Sequence, residues 1–395
     1  MGKPSTHSSL PGEGCKTGIL SVPLLFYFSW MLQFMNQIIE DLMTRLIQTG
    51  GSDLHLSAGN PPYYRLNGKL IPVGNKPLTP TDCQQLIFSL LNNTQRQTLE
   101  QHWELDFSYG LGGLARFRLN VYKERGSYAA CIRALSSQIP SFTALGLPAV
   151  VREMAEKPRG LILVTGPTGS GKTTTLASII DLINRTQTKH ILTIEDPIEF
   201  IYESRQSLIH QRELGEDTKS FANALRAALR QDPDIILIGE MRDLDTIALA
   251  VSAAETGHLV LGTLHTSSAA QTIDRMIDVF PSDRQTQVRV QLSNSLVAVF
   301  SQTLIPRLSP KPGQYGRVMA QEIMVVTPAI ANLIREGKTA QIYSAIQTGA
   351  RLGMQTLEKV LADYCRQGIL SIDSAMANTS RPEELQRLIG HTPSL

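Results

Sequence analysis

The stretch GPTGSGKTTT, Gly166 to Thr175, limits the fold of this chain more than any other. It follows the apolar run LILVT and precedes LASIIDLI, so the pattern GxxxxGK[ST] falls between a predicted strand and a predicted helix. Glycines let backbone N–H groups turn inward around phosphate oxygens, and the following helix adds the positive end of its dipole. Gly166, Pro167, Thr168, Gly169, Ser170, Gly171, Lys172, Thr173 and Thr174 therefore form the expected cradle of a nucleoside triphosphate. Lys172 would reach the β and γ phosphates, and Thr173 offers a hydroxyl to Mg2+. A plain glycine-rich turn would require none of the strand, lysine and helix in this register.

Such a loop needs a parallel sheet behind it. LILVT, HILTIE, DIILIGE and LVLGTL are short Ile/Leu/Val-rich runs of the kind that parallel strands buried on both faces carry, and helical segments such as FANALRAALRQ separate them. This alternation predicts an α/β, RecA-like P-loop core over 159–372, with its ligand at the carboxyl ends of the strands. Ahead of it, NQIIEDLMTRLIQTGG has helical spacing, YYRLNGKLIPVG reads as a hairpin turning at Asn67-Gly68, and LDFSYGL, ARFRLNVYKERG and SYAACIRAL read as strands. The expected organisation is a small α+β domain over 35–135, a Pro/Gly-containing linker over 136–158, the core, and a polar tail over 373–395. Residues 1–34 are expected to be a leader, disordered or dispensable, since the apolar stretch within them is broken by Pro23 and falls short of the roughly 20 residues that span a bilayer.

Lys+Arg 37 against Asp+Glu 35 leaves a net charge of +2 over 395 residues, and aromatics make up 6%. No basic stripe with interleaved aromatics is present, which weighs against a nucleic-acid motor built on the same core. The four cysteines include no CxxC pair, which argues against a structural zinc and for a reducing compartment.

Further polar sites fall at predicted strand ends. In DPDIILIGEMRD, Glu240 follows a buried strand, where a carboxylate can orient the water that attacks a γ phosphate. Gly239 stands where many phosphate-loop enzymes carry a magnesium-binding Asp, so the metal is expected to lean on Thr173 and on the acidic turn TIEDPIEF. That turn gathers Glu195, Asp196 and Glu199, with Glu195 and Glu199 the expected ligands, directly or through water. ETGHLVLGTLHTSS places His258 before a strand and His265 after it; a lone His is as often structural as functional.

GPTGSGKTTT, TIEDPIEF, LRQDPDIILIGEMRD, ETGHLVLGTLHT and AIANLIREGK together resemble the secretion ATPases of type II secretion and type IV pilus systems, most closely the pilus retraction ATPase family (PilT), over roughly 36–370. The resemblance implies an ATP hydrolase that uses ATP and Mg2+. It implies a Walker A loop, an Asp box containing Glu195, a catalytic Glu240 in Walker B, and a His box containing His258 near the nucleotide and His265 in catalysis. It further implies a PAS-like small domain, a homohexameric ring and a role in pilus retraction and twitching motility. The implied partners are an inner-membrane platform protein and the pilin machinery, with a cytoplasmic location at the inner face of the membrane, no nucleic acid, and membrane contact only through partners.

Among relatives, IPRLSPKPGQYGRVMAQE lacks the four-cysteine insertion usual in assembly ATPases, and no extra N-terminal domain is expected; both favour retraction over assembly or type II secretion. Ala331 departs from the family pattern, which has Arg there. On the small domain, Arg116, Arg118 and Arg133 lie on strand-like segments. The resemblance gives Arg118 and Arg133 the role of arginine fingers that meet the γ phosphate and sets Arg116 beside the nucleotide. A nucleotide-binding regulatory paralogue is the remaining alternative, against which Lys172 and Glu240 stand.

Overall fold

The computed structural model describes residues 24–390 apart from 67, 113–114, 136–137 and 311–314, with side chains described from residue 33. The chain divides into two units, Met1–Ala134 and Leu135–Leu395.

The first unit opens with helix α1 (Leu24–Gln48) and strands β1 (Asp53–Leu56), β2 (Tyr63–Leu66) and β3 (Lys69–Pro72). Helices α2 (Pro80–Phe88) and α3 (Asn93–His102) follow, then β4 (Glu104–Leu111), β5 (Ala115–Glu124) and β6 (Ser127–Ala134). The six strands form one antiparallel sheet in the order β3-β2-β1-β6-β5-β4. Alternation along β5 and β6 turns Phe117, Leu119, Val121, Ala130 and Ile132 to one face, where they bury against Ile39, Met43 and Leu46 of α1. The 39/43/46 spacing is one stripe of a helix, so α1 and the sheet need each other to leave water. Helix α2 starts cleanly because Thr79 and Asp82 form a capping box around Pro80 at its first turn. Helix α1 begins at Leu24, so the end of the expected leader is helical backbone; residues 1–23 lie outside the described residues, as does Asn67 of the expected hairpin turn. Among the described residues no helix is long and apolar enough to cross a membrane.

The second unit starts with α4 (Ala149–Ala155), β7 (Gly160–Thr165), α5 (Lys172–Thr186), β8 (His190–Glu195) and β9 (Leu208–Glu213). It continues with α6 (Phe221–Ala228), β10 (Ile235–Ile238), α7 (Leu244–Glu255), β11 (Leu259–Leu264), α8 (Ala269–Asp278) and α9 (Ser282–Ser295). A long hairpin, β12 (Leu296–Pro306) and β13 (Arg317–Val325), leads to α10 (Pro328–Arg335), α11 (Ile342–Thr348), α12 (Leu357–Arg366), α13 (Ile372–Met376) and α14 (Pro382–Gly390). The sheet order is β13-β12-β7-β11-β10-β8-β9, parallel except for the β12–β13 pair. Neighbouring residues on a strand serve opposite cores: Leu161 and Leu163 face α7 to α9, whereas Ile162 and Val164 face α4 and α5. Both faces are thus apolar, as continuous Ile/Leu/Val runs require.

Two expected boundaries differ. The stretch expected as linker supplies α4, whose Val150, Val151 and Met154 join the core around α5. The stretch expected as polar tail supplies α13 and α14, whose Ala375 and Leu385 bury against α12. Helical apolar spacing outweighed the local excess of polar residues.

Candidate functional site

The loop between β7 and α5 adopts backbone angles that only glycine takes readily: φ is +142° at Gly166, +79° at Gly169 and +88° at Gly171. A Cβ on Gly166 would sit 2.1 Å from the carbonyl oxygen of Gln302, so the loop could not close over β12 with any other residue there. The N-terminus of α5 carries no side-chain cap. Its first N–H groups are therefore available to an anion, and the Ser170 hydroxyl is buried without a hydrogen-bond partner among the described residues. Lys172 is buried with its ammonium donating to the Gly166 carbonyl at 2.8 Å and the Pro167 carbonyl at 3.1 Å. Burial pushes its pKa down, and the nearby charges of Glu240 and Glu199 offset part of that push. Uncapped donors, an orphaned hydroxyl and a buried cation fit a polyphosphate, and Thr173, half-buried, follows the lysine in the first turn of α5.

Beside the loop, a cavity of roughly 510 Å³ is bounded by Gly171, Thr174 and Thr175, by Leu145 and Gly146 of the segment before α4, and by Arg307, Arg317 and Tyr364. Its size suits a nucleoside.

Glu240 lies just beyond β10. Its Oε1 lies 3.0 Å from His265 Nε2 and accepts a hydrogen bond from Arg242 Nε. Burial raises its pKa, but Arg242, His265 and Lys172 together outweigh burial and hold the carboxyl below the usual glutamate range. An ionised carboxylate fixed on two sides, coupled to the loop lysine, can accept a proton or orient water. Gly239 packs closely against the next strand: a Cβ there would stand 3.2 Å from both the Glu195 Cα and the Ile194 carbonyl oxygen, so these atoms would have to shift by a few tenths of an ångström. The Asp found there in other phosphate-loop enzymes would crowd the next strand.

The profile of the family described as Type II/IV secretion system protein matches residues 31–377. This chain belongs to that family. It is 51% identical over 345 residues to the type IV pilus retractation ATPase PilT of Pseudomonas aeruginosa, covering 87% of this chain and 99% of the relative. A twitching motility protein of Neisseria gonorrhoeae is 46% identical, with 90% of this chain and 94% of that protein covered. Among solved structures, that of the pilus retraction motor PilT with bound ADP superposes with a TM-score of 0.82 at 48% identity, covering 88% of this chain and 99% of the other. The fold is thus the α/β ATPase fold of this family.

Within this secretion-family chain, the carboxylates of the acidic turn occupy different environments. Among the described residues no three His, Cys, Asp or Glu side chains converge to hold a metal. Glu195 is buried at 5% exposure, its Oε1 accepting from Thr193 Oγ1 at 2.7 Å and Gln211 Nε2 at 3.2 Å. Burial is the main cause of a pKa raised to about 7. Asp196 is exposed, and Glu199, half-buried, couples to Lys172. Glu199 stands close to both neighbours: its charge adds to the rise at Glu195 and offsets the fall at Lys172. His258 needs correction. It precedes β11, at the end of the sheet opposite the phosphate loop and about 20 Å from it along the strand. There its Nδ1 lies 3.0 Å from the Ala253 carbonyl at the end of α7, and its own carbonyl receives the Gly160 N–H, so its work within this unit is structural.

On the first unit, Arg118 and Arg133 are directly opposed on β5 and β6, and Arg133 is in turn opposite Asp53 on β1, which faces Arg65 on β2. Arg133 Nε donates to Asp53 Oδ1 at 2.8 Å, while Arg65 stands 3.7 Å from Oδ2. Burial raises the Asp53 pKa, but Ser52 and Arg133 outweigh it and leave the carboxyl below its ordinary value. Arg118 is exposed without a hydrogen-bond or ion-pair partner among the described residues, and Arg116 is half-buried on the same strand face. Arg118 and Arg133 are like charges directly opposite one another, which disfavours their pairing, while Asp53 compensates Arg133 from the other side.

Sequence reasoning missed Gln302. From β12 its amide donates to the Ser170 carbonyl at 2.8 Å and its Oε1 accepts from Thr175 at 3.1 Å and from Gln321 on β13 at 3.1 Å. Gln355, ahead of α12, donates to the Gln321 carbonyl at 3.0 Å. A Gln inside the apolar run LVAVFSQTLIP was the one available signal. A second missed layer links Thr266, next to His265, through Thr272 to Thr165 and Ser301 beneath the loop.

Proposed function

We propose that this chain is a motor ATPase that drives type IV pilus retraction, withdrawing pilin from the base of the pilus and powering twitching motility. The observation that carries the reading is an ionised Glu240, fixed by His265 and Arg242 next to a phosphate-binding loop, in a chain half identical to a pilus retractation ATPase along its length. The triphosphate lies in the cradle from Gly166 to Thr174, with Lys172 on its β and γ phosphates and the nucleoside in the 510 Å³ cavity. Thr173, with Glu199 and Glu195 as more distant candidates, would hold Mg2+, which would supply charge neutralisation at the phosphates. Glu240 positions the attacking water and His265 keeps the carboxylate aimed.

The mechanical part of the proposal rests on the first unit. Six copies form a ring in which this PAS-like domain presents Arg118 and Arg133 to a γ phosphate. Loss of that phosphate releases the arginines and shifts one domain against the next. The ring works at the cytoplasmic face of the inner membrane through a platform protein and makes no use of nucleic acid. Deletion of the gene in a piliated host tests the reading: long pili that no longer retract are expected, whereas bald cells would assign the chain to assembly.

A further inference from the structure

Strand β13 carries two adjacent buried polar residues, Gln321 and Glu322, which alternation turns to opposite faces of the sheet. Gln321 meets Gln302 and belongs to the support of the phosphate loop. Glu322 faces α8. It lies directly opposite Ser301 on β12; Ser301 is in register with Thr165 on β7, and Thr165 with Leu264 on β11. A single row across four strands thus runs from Glu322 to the residue before His265, whose Nε2 stands 3.0 Å from Glu240 Oε1.

The turn after His265 is held from two sides. Ala269 opens α8, and its N–H is one of the first-turn donors that no carbonyl of the helix can reach. Glu322 Oε1 accepts it at 2.7 Å in a buried contact. Thr272 is the second hold. Of its two acceptors, the Ser268 carbonyl at 2.7 Å is closer than Thr165 Oγ1 at 3.5 Å and takes the one hydroxyl hydrogen. The Thr266 hydroxyl, 2.7 Å away, is then the donor to Thr272. Ser301, 2.8 Å from Thr165, closes this layer from below. His265 itself is exposed, so packing does not aim its ring. The backbone on either side does: β11 up to Leu264, and the anchored turn from Thr266 to Ala269.

We infer that Glu322 and Thr272 are positioning residues of the catalytic site, fixing from β13 and α8 the turn that sets His265 against Glu240. The inference rests on the reading of Glu240 and His265 given above. Burial is the main cause of a Glu322 pKa near the neutral range, about 7, which the Ala269 N–H opposes. A carboxyl oxygen accepts from that N–H in either protonation state, so an amide oxygen can stand in for it.

The experiment compares full-length variants by steady-state ATP hydrolysis and by calorimetric titration with ADP. Glu322→Leu and Thr272→Val, each close in shape to the residue replaced, should lower kcat about tenfold or more, because a displaced imidazole leaves Glu240 misaimed. The ADP Kd should stay within about threefold, since the contacts of the phosphate loop are untouched. Glu322→Gln keeps the acceptor and should hold kcat within about threefold of the parent. Added to His265→Ala, which is itself expected to be slow, either substitution should cost less than about twofold further, since the group it positions is gone. Full turnover in Glu322→Leu or Thr272→Val, an ADP affinity that falls along with kcat, equal losses in Glu322→Gln and Glu322→Leu, or additive losses on top of His265→Ala would each overturn the proposal. Should Glu322→Leu fail to fold, Thr272→Val decides. Full turnover in His265→Ala would remove the catalytic reading of that histidine and this proposal with it, whereas a slow His265→Ala beside undiminished Glu322→Leu and Thr272→Val sinks the proposal alone.

Discussion

Glu195→Gln is the substitution whose outcome the structure determines most sharply. Glu195 ends β8 at 5% exposure with Thr193 and Gln211 donating to one carboxyl oxygen, and a glutamine amide oxygen can accept the same two bonds. What differs is charge, together with the Glu199 backbone N–H that also donates to the carboxyl. Burial lifts the carboxyl from 4.5 to about 7, so the folded chain holds this proton more tightly than the unfolded chain does. Its contribution to stability is fully present below about pH 4.5 and is lost as pH rises through about 7. The displacement is worth about 3 kcal/mol on the alkaline side. Glutamine at this position has no proton to lose. The variant should match the unaltered protein near pH 4.5 and exceed it at pH 8 by a Tm difference of roughly 5–10 °C. Thermal unfolding without nucleotide, scanned from pH 4.5 to 8.5, reads this directly. Glu322, buried and raised to about 7 as well, contributes the same slope to both proteins and cancels in the difference. A difference that is flat with pH, or a variant less stable at pH 8, would refute the account of a carboxyl strained by burial.

Glu240→Gln should keep nucleotide affinity and lose on the order of 100-fold in turnover, because the water loses its acceptor while the phosphate contacts survive; near-normal steady-state hydrolysis would remove Glu240 from catalysis. Arg118→Ala and Arg133→Ala should each slow hydrolysis, by up to roughly 10³-fold if they act as fingers, and mixing either with Lys172→Ala protein should restore activity if the contact crosses subunits. An unchanged rate in both variants would return this row of charges to a structural role. Gln302→Leu removes three hydrogen bonds around the loop and should cost about 3 kcal/mol or more while weakening nucleotide binding; an urea midpoint and a nucleotide Kd both within error of the parent would show that the staple is idle.

The phosphate loop and the strand–helix alternation around it were readable because their chemistry is local: a glycine pattern in one segment, apolar runs between helices. Glu240 was readable for the same reason, since it follows its strand directly. What escaped depends on pairings distant in sequence. Nothing within TIEDPIEF shows that Thr193 and Gln211 bind Glu195 in the interior while Asp196 stays in solvent. His258 and His265 look equivalent on paper, but the six residues of β11 carry them to opposite ends of the sheet. Gln302 sat in an apolar run with nothing beside it to explain a buried amide; its partners are Ser170, Thr175 and Gln321. The register that sets Arg118 against Arg133 and Arg133 against Asp53 belongs to three strands at once.

The separation between Ser170 and Gln302, 132 residues, bears on how the chain is made. During translation at about 5–20 residues per second, the phosphate loop exists for roughly ten seconds before β12 is synthesised. Gln321 and Gln355, which extend the support to α12, come later still. A nascent chain therefore carries the complete nucleotide signature well before it has the rigid cradle, and arrested or truncated products ending before β12 should be unable to hold nucleotide tightly. ATP thus becomes a ligand only after β12 has been synthesised and has packed beneath the loop.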